Sequence, residues 1–202
     1  MQALFQLEDL DARELRLSLR YAVELGLVYT NNPKCACSTV KASMLKKIDD
    51  MNDGATNYSV MVHSQDAFAR LNEVTDDDSI GKLRAATSFS VVRNPYKRAV
   101  SAYLDKVGSD RKDQRIWNWT HKRYGLRREL SSEDFSFKDF LRLMLADDAR
   151  AIDPHFRPQV YNLFWGHMRW DHVARLETPE EMNGFLEARG MEVKRVDHHK
   201  TG

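Results

Sequence analysis

Little cysteine, no long apolar run and no surplus of charge of either sign limit what this sequence can be. Its 202 residues include two cysteines, Cys35 and Cys37, too few for a secreted disulfide scaffold and too close together for an unstrained bridge. A reducing cytoplasm is the simplest setting; a luminal one would require that an N-terminal anchor had been removed. No apolar stretch approaches the ~20 residues that span a bilayer, and residues 1–10 show neither a basic n-region nor an apolar h-region. The chain as given is expected to be soluble and unsecreted. Its 31 basic and 30 acidic side chains leave a formal net charge of +1, which excludes an overall nucleic-acid or acidic-tail signature. Any anion site must be built locally.

What is there is an alternation of helical and strand-like segments. Residues 9–25 carry apolar side chains at helical spacing, and Gly26 introduces the short β-type run Leu27-Val28-Tyr29. Asn31-Asn32-Pro33 breaks the pattern, and a helix is predicted over 38–48. A weak strand over 58–62 and a helix through Phe68 and Leu71 follow, with Asp76-Asp77-Asp78 as a solvated turn or cap. Phe89-Ser90-Val91-Val92 is the strongest strand signal, and Asn94-Pro95 reads as an N-cap followed by proline at the first helical position. A helix over 137–145, strands over 173–176 and 193–196, and a helix over 179–189 complete the pattern. The expected fold is α/β, one domain over 1–202 with a central parallel sheet flanked by helices. Such a domain buries about 70% of its unfolded surface, with its ligand at the carboxyl ends of the strands.

Two strand-loop-helix junctions carry the chemistry. Pro33-Lys34-Cys35-Ala36-Cys37-Ser38-Thr39 joins a strand to a helix, so its backbone N–H groups can converge on an anion at the helix start. Lys34 supplies a mobile positive charge; Ser38 and Thr39 supply hydroxyls. The loop has no glycine, whereas a Walker A loop needs two and a lysine directly before Ser/Thr, so an ordinary nucleotide triphosphatase is disfavoured. The plain alternative is a strand-to-helix turn with Ser38 as N-cap. Two cysteines without a second pair or a nearby histidine are poor metal ligands. At the second junction, Val100, Tyr103, Leu104 and Val107 form an i, i+3, i+4, i+7 stripe expected to face the core. That leaves Ser101 on its flank and Arg93 at the strand's carboxyl end, both within reach of one phosphate.

The segment PKCACST resembles the 5′-phosphosulfate loop of sulfotransferases, and VVRNPYKRAVSAYLDK closely resembles the 3′-phosphate segment of the carbohydrate (Golgi-type, family 2) sulfotransferases and their bacterial relatives. Asp153-Pro154-His155-Phe156-Arg157-Pro158-Gln159 is similar to the family's "HWRPQ" stretch, and Ala174-Arg175-Leu176-Glu177-Thr178 to its "GKLET" strand. The segments come in the family's order and cover most of residues 27–178. Asn94 stands where the family usually has an acidic residue, and Ser38-Thr39 replaces a Thr-Asn-Trp series. The tail 197–202 resembles the start of the C-terminal cofactor loop, where the chain stops.

The resemblance implies a P-loop-like sulfotransferase fold and 3′-phosphoadenosine 5′-phosphosulfate (PAPS) as cosubstrate, without a metal. It implies that Lys34, Cys35, Ala36, Cys37, Ser38 and Thr39 hold the phosphosulfate, that Arg93 and Ser101 hold the 3′-phosphate, and that the acceptor is a hydroxyl, of a glycan. A general base is required, for which histidine is suited by its pKa near 6.5. His63, closing the strand expected over 58–62, is preferred to His155. Trp117, Trp119, Trp165 and Trp170 could stack on sugar rings, and the basic run over 111–128 could meet an acidic polysaccharide. A small-molecule P-loop kinase and a non-catalytic nucleotide- or glycan-binding module are the competing classes. Oligomeric state leaves no mark on the sequence.

Overall fold

The computed structural model describes residues 12–51, 68, 76–107, 118, 120–123, 125 and 135–193. They fall into two compact units. One runs to Arg93 and resumes at Gln159; the other comprises 94–158.

The first unit is built on a four-stranded sheet in the order β1-β2-β3-β4. The helix expected over 9–25 is cut short: α1 spans Ala12–Ser18 and gives way to β1, Leu19–Ala22. The reason is pairing. β1 runs antiparallel to β2, Leu27–Thr30, with Leu19 opposite Thr30 and Ala22 opposite Leu27, and a 3-10 turn at Val23–Leu25 ends on Gly26 at φ 57°, a left-handed position that suits glycine. β3, Thr87–Val92, and β4, His172–Arg175, extend the sheet in parallel. The parallel core is thus the expected one, with an antiparallel edge strand added in front of it. Val193 lies outside any strand, and the rest of the strand expected over 193–196 lies outside the described residues, as does that over 58–62.

Both sheet faces are apolar, as parallel strands require. Tyr29, Phe89, Val91 and Ala174 pack on one face with Val40, Met44 and Leu45 of α2, Cys37–Met51, and with Met182 and Leu186 of the helix at Pro179–Glu187. Leu19, Tyr21 and Val28 point to the other face, where Leu15 of α1, Ala86, Phe164 and Met168 cover them. Each fully buried side chain of this size is worth about 1.5–3 kcal/mol. α3, Asp77–Ala85, begins with a reciprocal capping box between Asp76 and Ser79, so the acidic triplet is a helix start.

In the second unit, α4 spans Pro95–Lys106, with Asn94 accepting from the N–H groups of Tyr96 and Lys97 and Pro95 at the first helical position. The stripe expected to face the core is only half right. Val100 and Leu104 are exposed, while Arg98, Ser101 and Ala102 are buried. The helix is rotated because the Arg98 guanidinium finds two carbonyls, donating to Arg157 O and Pro154 O at 2.8 Å each. Charge-assisted bonds of this kind are worth about 1.5–3 kcal/mol. α5, Phe137–Ala146, contributes Phe140 to an apolar cluster with Val107, Phe135, Tyr103 and Phe156. α6, Gln159–Asn162, returns the chain to the first unit, and α7, Pro179–Glu187, follows β4. Among the described residues no helix is long and apolar enough to cross a membrane.

Candidate functional site

At the carboxyl end of β2 the chain turns sharply before α2. Lys34 holds φ 68° and Ala36 φ 56°, left-handed conformations that cost a non-glycine residue roughly 1–2 kcal/mol each. Backbone strain of this kind clusters at ligand clamps and switch regions, and here it falls at two positions of a glycine-free loop. The first α-helical bond is Val40 N to Ala36 O, 3.1 Å, so Ala36 occupies the cap position. Ser38 already lies in the helix, which removes the plain reading of Ser38 as N-cap. Alanine has no side-chain acceptor to offer the helix start. The N–H groups of Cys37, Ser38 and Thr39 have no backbone acceptor among the described residues, and a helix start in this state attracts anions.

Side chains outside the loop lock it. Gln159, at the start of α6, accepts through Oε1 from Arg93 N at 2.9 Å, Asn32 Nδ2 at 3.0 Å and the Cys35 thiol at 3.2 Å, and donates through Nε2 to Arg93 O at 2.7 Å. Asn32, fully buried, donates also to Val91 O at 3.0 Å and accepts from Asn162 at 3.3 Å. Arg93 Nη1 donates to Lys34 O at 3.3 Å. The carboxyl ends of β2 and β3 and the loop between β2 and α2 are thereby fixed to one glutamine. Lys34 and Arg93 thus stand at the same strand edge. Asn32 and Gln159 were assigned no role in the sequence; the signal for Asn32 was an uncharged polar residue at the end of an apolar strand. Both cysteines are free thiols, Cys35 buried and Cys37 partly so.

The other expected site residues divide among the two units and the undescribed segments. Ser101 lies in the second unit, buried on α4. His155 lies in that unit too, bonded through Nδ1 to Asp153 Oδ1 at 2.7 Å, with its backbone N–H on the same oxygen at 2.9 Å. A carboxylate on Nδ1 favours the tautomer whose Nε2 carries the lone pair. His63 lies outside the described residues, as do Trp117 and Trp119. Trp165 is exposed and Trp170 half-buried. Of the basic run, Arg123 is engaged by Asp147 through two bonds of 3.0 and 2.6 Å. Among the described residues no group of three or more His, Cys, Asp and Glu side chains could hold a metal ion.

The chain is 28% identical over 188 residues to carbohydrate sulfotransferase 11 of Rattus norvegicus, a match covering 79% of this chain and 49% of that protein. It is 29% identical over 161 residues to carbohydrate sulfotransferase 14 of Homo sapiens, covering 77% and 42%, and 27% identical over 166 residues to carbohydrate sulfotransferase 14 of Danio rerio, covering 80% and 44%. The chain thus spans about half the length of the curated relatives it matches. No solved structure gives a significant match. A family model described as the sulfotransferase family matches residues 18–194, nearly the whole chain, and the protein belongs to that family.

Proposed function

We propose that this chain, acting as one domain, transfers the sulfuryl group of PAPS to a hydroxyl of a carbohydrate acceptor. The observation that carries the reading is the loop after β2: a lysine, two left-handed non-glycine residues and a helix start with open N–H groups, in a member of the sulfotransferase family. In this reading Lys34 and residues 35–39 hold the 5′-phosphosulfate, and Arg93 and Ser101 take the 3′-phosphate. The acceptor oxygen attacks sulfur in line, the bond from sulfur to the 5′-phosphate oxygen breaks, and the acceptor proton passes to a base. Lys34 and the loop N–H groups offset charge growing on the departing phosphate oxygen.

His63 is the base this proposal prefers, from its expected place at a strand end, with His155, whose Nδ1 is bonded to Asp153, as the alternative. The carbohydrate acceptor is supported by the names of the relatives and by exposed Trp165. A reducing compartment such as the cytoplasm is part of this reading, resting on a chain whose two cysteines, both within the anion loop, are too few and too close for a disulfide scaffold. The test is a transfer assay with PAPS and a panel of glycans, scored by release of 3′-phosphoadenosine 5′-phosphate and by sulfate on the glycan. Transfer to a glycan supports the reading. Transfer only to non-carbohydrate hydroxyls, or none with any acceptor, contradicts it.

A further inference from the structure

Two cations are buried in the elements that flank the loop, Arg20 on β1 and Lys41 on α2. Arg20 and Lys41 are each 5% exposed, and neither has a carboxylate partner among the described residues. Arg20 is on β1 opposite Tyr29 of β2. Its neighbour Ala22, two residues along, and Tyr29 itself belong to the core on the α2 side of the sheet, so Arg20 points to that face as well. Lys41 is on α2, one turn after Cys37, the first helical residue, and on the same side of the helix. Arg20 Nη1 donates to Leu17 O and Leu19 O at 2.9 Å each. That leaves Arg20 Nε, a guanidinium nitrogen sealed from solvent, with no acceptor, and the sealed Tyr29 hydroxyl, which the Asn32 backbone N–H faces, with no acceptor for its own proton.

Buried charge that lacks a counter-ion is costly, and arginine cannot shed its proton. Burial lowers the pKa of Lys41; Cys37 opposes this and the Arg20 charge adds to it. Burial likewise lowers that of Arg20, while Tyr29 and Cys37 oppose it. Arg20 and Tyr29 thus share the face of the sheet that α2 covers, Lys41 is buried on α2, and Arg20 Nε has no acceptor among the described residues.

We propose that Arg20, Tyr29 and Lys41 form a second oxyanion site next to the anion loop, on the flank of β2 away from Arg93. Its occupant is a small oxyanion, sulfate or carboxylate in class, since the slight exposure of both cations leaves no way in for a ring. That group is either a free inorganic ion or an acidic substituent projecting from the acceptor. Only the second assignment rests on the sulfuryl-transfer reading.

The experiment saturates the full chain with 3′-phosphoadenosine 5′-phosphate and then titrates inorganic sulfate at constant ionic strength, following thermal unfolding. A further, saturable rise in Tm is expected in the wild type and in Lys34→Ala. It should be lost in Lys41→Met and Arg20→Gln and kept in Lys41→Arg, with bisphosphate affinity within about threefold throughout the Arg20 and Lys41 series. No rise in the wild type, or a rise that survives Lys41→Met and Arg20→Gln, overturns the site. Should Lys41→Met or Arg20→Gln fail to fold, the wild-type titration and Lys41→Arg still decide. A chain that ignores the bisphosphate yet keeps the Lys41-dependent sulfate response retains the site and loses the donor reading. KM values then separate the sources. A tenfold or larger rise in Lys41→Met for an acidic glycan, with a neutral glycan unchanged, identifies the acceptor's own group. Equal KM values identify the free ion.

Discussion

Lys34 combines strain with charge. It holds a left-handed backbone in a loop that has no glycine to relieve it, and its ammonium is the positive charge the loop sequence carries. Lys34→Ala should therefore lose most transfer activity while far-UV circular dichroism and Tm stay near wild type; full turnover in a folded variant sinks the assignment. In the proposed site, Arg93 is the residue assigned to discriminate between nucleotides. Arg93→Ala should weaken 3′-phosphoadenosine 5′-phosphate by about 2–4 kcal/mol, the loss of a hydrogen-bonded charge contact, and bring its affinity level with that of the analogue lacking the 3′-phosphate. An unchanged preference between the two nucleotides rules Arg93 out. Gln159 acts by position. Removing its side chain takes the partner from Arg93 N and Arg93 O and leaves Asn32 Nδ2 with Val91 O alone, so Gln159→Ala should cost about 2–4 kcal/mol of stability and weaken the bisphosphate tenfold or more. Urea unfolding and titration read the two effects, and a variant as stable and as tight as wild type would show the clamp to be idle.

At the level of elements, the strand-loop-helix junctions were legible because each is a local rule. Asn94 and Pro95 start α4 as their types dictate, and Asp76 closes a capping box. Two failures share a cause. The helix read over 9–25 ends early because Leu19–Ala22 pairs with β2, and α4 turns Arg98 inward because carbonyls 56 and 59 residues away accept from it. Periodicity treats leucine in a helix as helical and arginine as outward; partners distant in the chain override both. The Gln159 clamp, whose bonds reach across 66 to 127 residues, was invisible for the same reason. Another long-range lock holds β3 to β4. Asp171 Oδ2 accepts from Ser88 N and Ser88 Oγ, each at 2.8 Å. The Ser88 backbone bond, chiefly, holds the Asp171 pKa below the usual carboxylate value, with its hydroxyl adding to the shift and burial opposing it. A carboxyl whose folded pKa is depressed stabilises the fold fully above its unfolded pKa of about 3.9, and the contribution fades as pH falls through the lower folded value. Urea midpoints should therefore drop more steeply below about pH 4 in the wild type than in Asp171→Asn. Parallel curves for the two proteins would contradict the lock.

For the molecule as a whole, the chain is an α/β member of the sulfotransferase family, and its near-zero net charge puts the proposed anion site in local structure and not in an overall field. The fold class and the first junction could be read from local pattern; the 3′-phosphate role came from resemblance, since Arg93 and Ser101 taken alone look like an ordinary strand end and a tolerated helix serine. What separates a sulfotransferase from a P-loop kinase or a passive nucleotide binder is which nucleotide the loop prefers. Isothermal titration of the full chain with 3′-phosphoadenosine 5′-phosphate and, in parallel, with ATP and magnesium measures that preference directly. The account predicts binding of the bisphosphate at least a hundredfold tighter, about 2.7 kcal/mol, without any need for magnesium. Equal affinities, or a magnesium-dependent preference for ATP, would contradict it.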